Sequence, residues 1–265
     1  MEQRQKPPRH GHGGAGTRTG TSPRTGDVDD VGWQHSRPAR AAHVAIALLA
    51  AVGLATSIQL GWTTDSTLPP DVGFAGGFDA GVEHTLNQPA YFTVLSGFLV
   101  CLTSGLLAAR PHRTGVVFHA LRLGGVVCMV ITGAVFNLLL RSDDPLVGVR
   151  LVNDTVLHVI LPIAAPLVWL VVGPHGLLSL RAVLASMVVP LSWLAVTLVR
   201  GPLLDWYPYE ILDVPGMGYA GVGVYAGSIL AAYLALALLL TGLDRLLATT
   251  ARRVVARRLS PRSPR

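Results

Sequence analysis

His158 lies one helical turn after Asp154, inside the stretch NDTVLHVILP that opens a long apolar run. Side chains four apart share one face of a helix, so this carboxylate and imidazole can meet. An imidazole changes charge near neutral pH and suits proton transfer. A hydroxyl becomes a useful nucleophile when such a ring takes its proton. Thr93, early in another apolar run, can supply that hydroxyl. Asp154 can then orient the ring as the acid of a hydrolytic triad does. Asn137 and Arg200 are candidate donors to an oxyanion.

Two other chemistries draw on the same residue types. Haem needs two facing histidines at one depth. His43 and His119 offer such a pair, but both sit beside arginines and read as interfacial side chains. Zinc needs three or four ligands. His158 and Asp154 supply two and His84 a third, without HxxxH or CxxC spacing. No metal or organic cofactor is expected.

The elements that must position these residues follow from composition. Of 265 residues, 51% are hydrophobic and 14% charged. The mean hydropathy is +0.49, which points to an integral membrane protein. Six apolar runs lie at about 41–63, 90–109, 118–140, 151–173, 180–200 and 219–243. Each is near the ~20 residues needed to cross a bilayer core. The expected fold is therefore all-α, a polytopic bundle of six transmembrane helices over 41–245. Cys101 and Cys128 lie inside these runs and read as small apolar residues.

Residues 1–40, rich in Gly, Pro, Thr and Arg, read as a disordered basic tail. Residues 246–265 read as a basic amphipathic tail lying on an anionic leaflet. The net charge of +6 does not point to nucleic acid, because most arginines are in tails or beside spans. With both termini cytoplasmic, 18 of the 21 cations fall on the inner side, leaving Arg141, Arg150 and Arg200 outside. The predicted location is the cytoplasmic membrane of the cell, as a multi-pass protein.

This topology assigns depth. Thr93 falls about 5 Å and His158 about 10 Å below the outer edge, at ~1.5 Å per residue. Asn137, Gln59 and Arg200 lie near the outer ends of three further spans. Five of six spans thus bring a polar group to the outer half, predicting a polar chamber there. The inner half has no comparable set beyond hydroxyls such as Ser104 and Ser228. Each polar group could equally hold helices together by interhelical hydrogen bonds.

Four motifs occur in order: YFT at Tyr91–Thr93, LHVILP at Leu157–Pro162, WLVVGP at Trp169–Pro174 and RGPLLDWYPYEILDV at Arg200–Val214. In them the chain resembles the androgen-induced protein family of six-helix membrane proteins, within it an uncharacterised bacterial branch. That family includes threonine hydrolases of fatty acid esters of hydroxy fatty acids. The resemblance implies that Thr93 is the nucleophile and His158 its base. Val94, Leu95, Ser96 and Gly97 depart from the glutamine and asparagine that often follow YFT in that branch. Asp154 has no firm counterpart in the family.

Trp206, Tyr207 and Tyr209 read as an aromatic belt or as a roof over the chamber, with Asp205 or Asp213 pairing with Arg200. The loop 64–89 reads as an unstructured connector or a mobile lid. The expected function is a lipid-ester hydrolase whose fatty-acyl ester substrate enters from the bilayer. The alternative is a non-enzymatic lipid-binding or interaction protein of the same fold.

Overall fold

The computed structural model describes residues 36–141 and 145–259. The expected disorder of the N-terminal tail lies outside the described residues, except at its end. There Ser36 caps the first helix, its Oγ accepting from Ala39 N at 3.3 Å. Pro38 sits in the first turn, where its missing N–H costs nothing. The helix therefore starts at Arg37, four residues before the apolar run suggests.

The helices are α1 (Arg37–Thr63), α2 (Val82–Asn87), α3 (Phe92–Ala109), α4 (Val116–Val135), α5 (Gly148–Asp154), α6 (Leu161–Val172), α7 (Leu180–Ser186), α8 (Val188–Leu204) and α9 (Val214–Leu259). A π-helical turn, Phe136–Leu140, extends α4, and another, Thr155–Ile160, joins α5 to α6. Six helical stretches are long and apolar enough to cross a membrane: α1, α3, α4 with its π turn, α5 through α6, α7 with α8, and α9. Among the described residues there is no strand. The chain is an all-α, multi-pass membrane protein.

The third span is the hub. Its most apolar window is 56% buried, against 17% for the sixth, which lies at the periphery. It packs against α3, α6, α7 and α9, while α1 runs along α3. Large side chains such as Leu48, Ile163, Val199 and Val224 are exposed, as lipid-facing surfaces require. Glycine permits the close approaches. A Cβ at Gly133 would lie 2.5 Å from Pro162 Cβ, where the third span meets the fourth. Gly133→Ala is expected to destabilise the fold by about 1–3 kcal/mol through overpacking. A lowered thermal-denaturation midpoint in detergent would show it. An unchanged midpoint would mean that Pro162 gives way freely.

One expectation about the connections is corrected. The loop 64–89 is ordered and docks on residues 205–216. Gly76 N donates to Asp205 O at 2.7 Å and Gly73 N to Asp213 Oδ2 at 2.7 Å. Phe74, only 2% exposed, packs edge-on against Tyr207. The loop is rich in Gly and acid, so its anchors are backbone N–H groups that hydropathy does not register. α9 continues into the C-terminal tail as far as Leu259, its one non-helical residue being Gly218 at φ 71°.

Candidate active site

Thr93 is the second residue of α3, and Tyr91 ends the short connection before it. First-turn N–H groups have no partner within their own helix. Here Thr93 N donates to the Tyr209 hydroxyl at 3.3 Å. Thr93 Oγ1 lies 3.3 Å from His158 Nε2 and 3.4 Å from Tyr209 Oη. Thr93 is buried, at 8% exposure. The hydroxyl and the imidazole thus come together from the second and fourth spans, 65 residues apart.

The ring's other nitrogen decides its tautomer. His158 Nδ1 is 3.1 Å from Asp154 Oδ1. A carboxylate accepts, so Nδ1 carries the hydrogen and Nε2 is left as the acceptor that faces the threonine. Asp154 Oδ2 in turn accepts from both terminal nitrogens of Arg141 at 3.2 Å. Phe136 stacks on the imidazole, with centroids 3.6 Å apart and planes 9° apart. The Arg141 guanidinium lies over the Phe136 ring at 5.1 Å.

The two π turns frame this arrangement, as such turns often do at functional sites. Pro162 has no N–H to offer the His158 carbonyl four residues back. Asn137, in the first π turn, donates Nδ2 to that carbonyl at 2.8 Å and to Gly133 O at 2.7 Å. Its Oδ1 accepts from Arg141 Nε at 2.9 Å. Asn137 therefore holds the histidine's backbone and the arginine. Both of its donors are occupied, so it is not an oxyanion donor.

Other candidate residues fall elsewhere. Gln59 is exposed. The first span contributes Thr56 and Ser57 instead: Asn153 Nδ2 donates to each hydroxyl at 2.9 Å and pins the fourth span to the first. Arg200 donates to Asn87 Oδ1 at 3.0 Å. It pairs with neither Asp205 nor Asp213, whose carboxylates accept from Ala75 N and Gly73 N. Tyr207, 1% exposed, is in the roof against Gly201. His84 Nδ1 donates to Thr64 O in the same roof and does not join His158. Five of six spans do not meet in one chamber; the site is built from the second, third and fourth spans and the segment carrying Tyr209.

A cavity opens beside Thr93. It holds about 650 Å³ of atom-free space including its open mouth. Thr93, Thr132 and Tyr209 are its hydroxyl-bearing lining, and the rest is apolar or aromatic, including Phe136, Trp193 and Leu212. Burial holds the Tyr209 phenol above its ordinary value, so it is a neutral donor at physiological pH. No family model, curated protein or solved structure matches this chain. What points beyond the geometry is therefore the motif resemblance alone.

Sequence reading missed Arg141 and Phe136. The available signal was spacing: Arg141 follows Asn137 by four residues. It also missed polarity at the opposite end of the bundle, where His43, His119, Arg122 and Asp244 are all buried. His43 and His119 are packed inside the protein, and His119 Nε2 donates to Arg113 O at 2.8 Å.

Proposed function

We propose that this chain is a membrane-embedded lipid-ester hydrolase with Thr93 as nucleophile and His158 as general base. The observation that carries the proposal is the chain of contacts Thr93–His158–Asp154–Arg141 at the edge of an apolar cavity. A nucleophile, a base within reach and a third group orienting the base are what acyl transfer needs. The 3.3 Å gap to Nε2 suits a site without substrate, where such bonds are often loose.

Thr93 Oγ1 attacks the ester carbonyl carbon while His158 Nε2 takes the hydroxyl proton. The Tyr209 hydroxyl, 3.4 Å from Oγ1, donates to the carbonyl oxygen as it gains charge. The tetrahedral intermediate collapses, and the alcohol leaves with the proton from Nε2. Water then attacks the acyl-threonine, His158 takes a proton from it, and the acid departs as the proton returns to Thr93. Asp154 stabilises the imidazolium in both halves, and the face of Phe136 lies against it. The apolar lining suits an acyl chain.

The test is covalent labelling of the purified protein with a fluorophosphonate probe carrying an alkyl chain. The expected result is one adduct, located on Thr93 by peptide mass and lost in Thr93→Ala. Labelling that persists in Thr93→Ala, or bound lipid ester recovered intact with no labelling at all, would overturn the assignment. The second outcome would favour a lipid-binding protein.

A further inference from the structure

The cavity beside Thr93 is a wedge, and a break in the fifth span opens it. Pro190 has no N–H for the Ser186 carbonyl four residues back, and a proline ring crowds the carbonyl at that position. The span breaks there, at Met187, into α7 and α8. The backbone of α7 runs close to α4 and α9, whereas that of α8 stands away from both. The cavity fills the space between. Pro190 and Leu194 line it on α8, Ile131 on α4, and Ala226 and Leu230 on α9.

The sides of the wedge differ. Towards α3 it is tied shut by Trp193, whose Nε1 donates to Ala90 O at 2.9 Å. The Trp193 ring also lies against Phe92, with centroids 4.8 Å apart. The α9 side carries small residues. Gly223, one turn before Ala226, and Gly227 beside it would each carry a Cβ into open space. Around the mouth, Leu191 and Val196 on α8 and Val224 on α9 are exposed, as lipid-facing side chains are. Pro190 and Leu194 lie near the middle of the apolar stretch Leu180–Leu204. The mouth therefore opens at hydrocarbon depth and not on water.

We infer that the gap between α8 and α9 is a lateral portal, through which one long acyl chain of a membrane lipid reaches Thr93 without leaving the bilayer. The inference rests on the hydrolase reading for its chemistry. An acyl ester is polar at one end and apolar along the rest, and the wedge has the same order. Thr93 Oγ1 and Tyr209 Oη, 3.4 Å apart, stand on the side tied shut, and the side chains towards the mouth are hydrocarbon. Thr132, the remaining hydroxyl, is 3.3 Å from Ser96 Oγ and is engaged between the second and third spans. The wedge takes the ester and the adjoining carbons, and the rest of the chain stays among the lipid tails. The portal thus selects esters already resident in the membrane and sets no upper limit on chain length.

Photo-crosslinking of the purified full-length protein in phosphatidylcholine vesicles tests this. The probe is phosphatidylcholine with a diazirine near the ester end of one acyl chain. Ile131 and Leu212 line the wedge and are only 8% and 4% exposed, so a lipid outside the bundle does not reach them. Adducts on these two residues are expected, and they should persist in His158→Ala, whose missing ring is no part of the lining. Ala226→Trp plugs the mouth and should lose both adducts. Leu230→Trp should do the same, which keeps the test sound if one variant misfolds. Adducts confined to lipid-facing residues such as Leu203 and Val224 would overturn the inference. So would adducts on Ile131 and Leu212 that survive in both tryptophan variants. Both adducts, lost in the tryptophan variants but without fluorophosphonate labelling of Thr93, would uphold the portal and remove the hydrolase reading.

Discussion

His158→Ala is expected to lower ester-hydrolysis turnover at least about ten-thousand-fold, with little effect on lipid binding. The reason is specific to the geometry. Nε2 is the acceptor within hydrogen-bond range of Thr93 Oγ1, and the other polar neighbour, Tyr209, is a neutral phenol held above its ordinary pKa. Without the ring the threonine proton has nowhere to go, and a neutral hydroxyl is a weak nucleophile. The cavity is lined by Thr93, Thr132, Tyr209 and apolar side chains and not by His158, so it keeps its lining. The measurement is single-turnover hydrolysis of a long-chain ester, beside equilibrium binding of its non-hydrolysable ether. Retained turnover in His158→Ala would remove the histidine from the mechanism. Combining it with Thr93→Ala should add little, because the two act as one unit.

Asp154→Asn is the second large effect, expected to cost about ten-thousand-fold in turnover. Asp154 Oδ1 accepts from His158 Nδ1 at 3.1 Å, which leaves Nε2 free to act as a base. An amide placed there can turn its NH2 to the ring and hold the hydrogen on Nε2, facing the threonine with a donor. The Arg141 side prefers the amide oxygen, since the guanidinium is donor-only, and this drives the amide into the harmful orientation. Arg141→Gln should cost much less, because the Asp154–His158 contact and its tautomer survive. Turnover measured on the three proteins in one detergent gives the order. Equal losses in Asp154→Asn and Arg141→Gln would mean that the carboxylate acts only through the arginine. A thermal midpoint for each protein separates catalysis from folding.

Part of this site was legible from the order of residues. Asp154 and His158 share a helical face by spacing, and the contact survives although the intervening turn is π-helical. Thr93 was reached through depth, by counting residues from the ends of antiparallel spans. The same count included Gln59 and Arg200, which do not join. Depth is a coordinate along the helix, whereas facing a neighbour depends on rotation, at about 100° per residue. Gln59 and Ser57 differ little in depth, yet only Ser57 meets the fourth span, through Asn153. Arg141 escaped notice because it lies just beyond the third span and returns to Asp154 from there.

The roof and the burial of Arg122 were hidden for a related reason. Loop 64–89 is fixed by its own backbone N–H groups on carboxylates about 130 to 140 residues away, and every residue type has that donor except proline. Arg122 is one of the cations on the inner side, and hydropathy tolerates one cation near a span's end. Its burial follows from packing against α6 and Trp169, with the guanidinium 5.9 Å from the indole ring.

The sequence by itself determined the class of protein and the number of spans. Apolar length is additive along the chain, and the bilayer requires about 20 residues per crossing whatever their partners. Only the tertiary structure decided which polar groups meet. Glycine contacts such as Gly133 on Pro162 and the two π turns set the rotation of each helix, and these are properties of neighbours. Those rotations join Thr93, His158, Asp154 and Arg141 at one end of the bundle and leave Arg122 without an ion-pair partner, among the described residues, at the other.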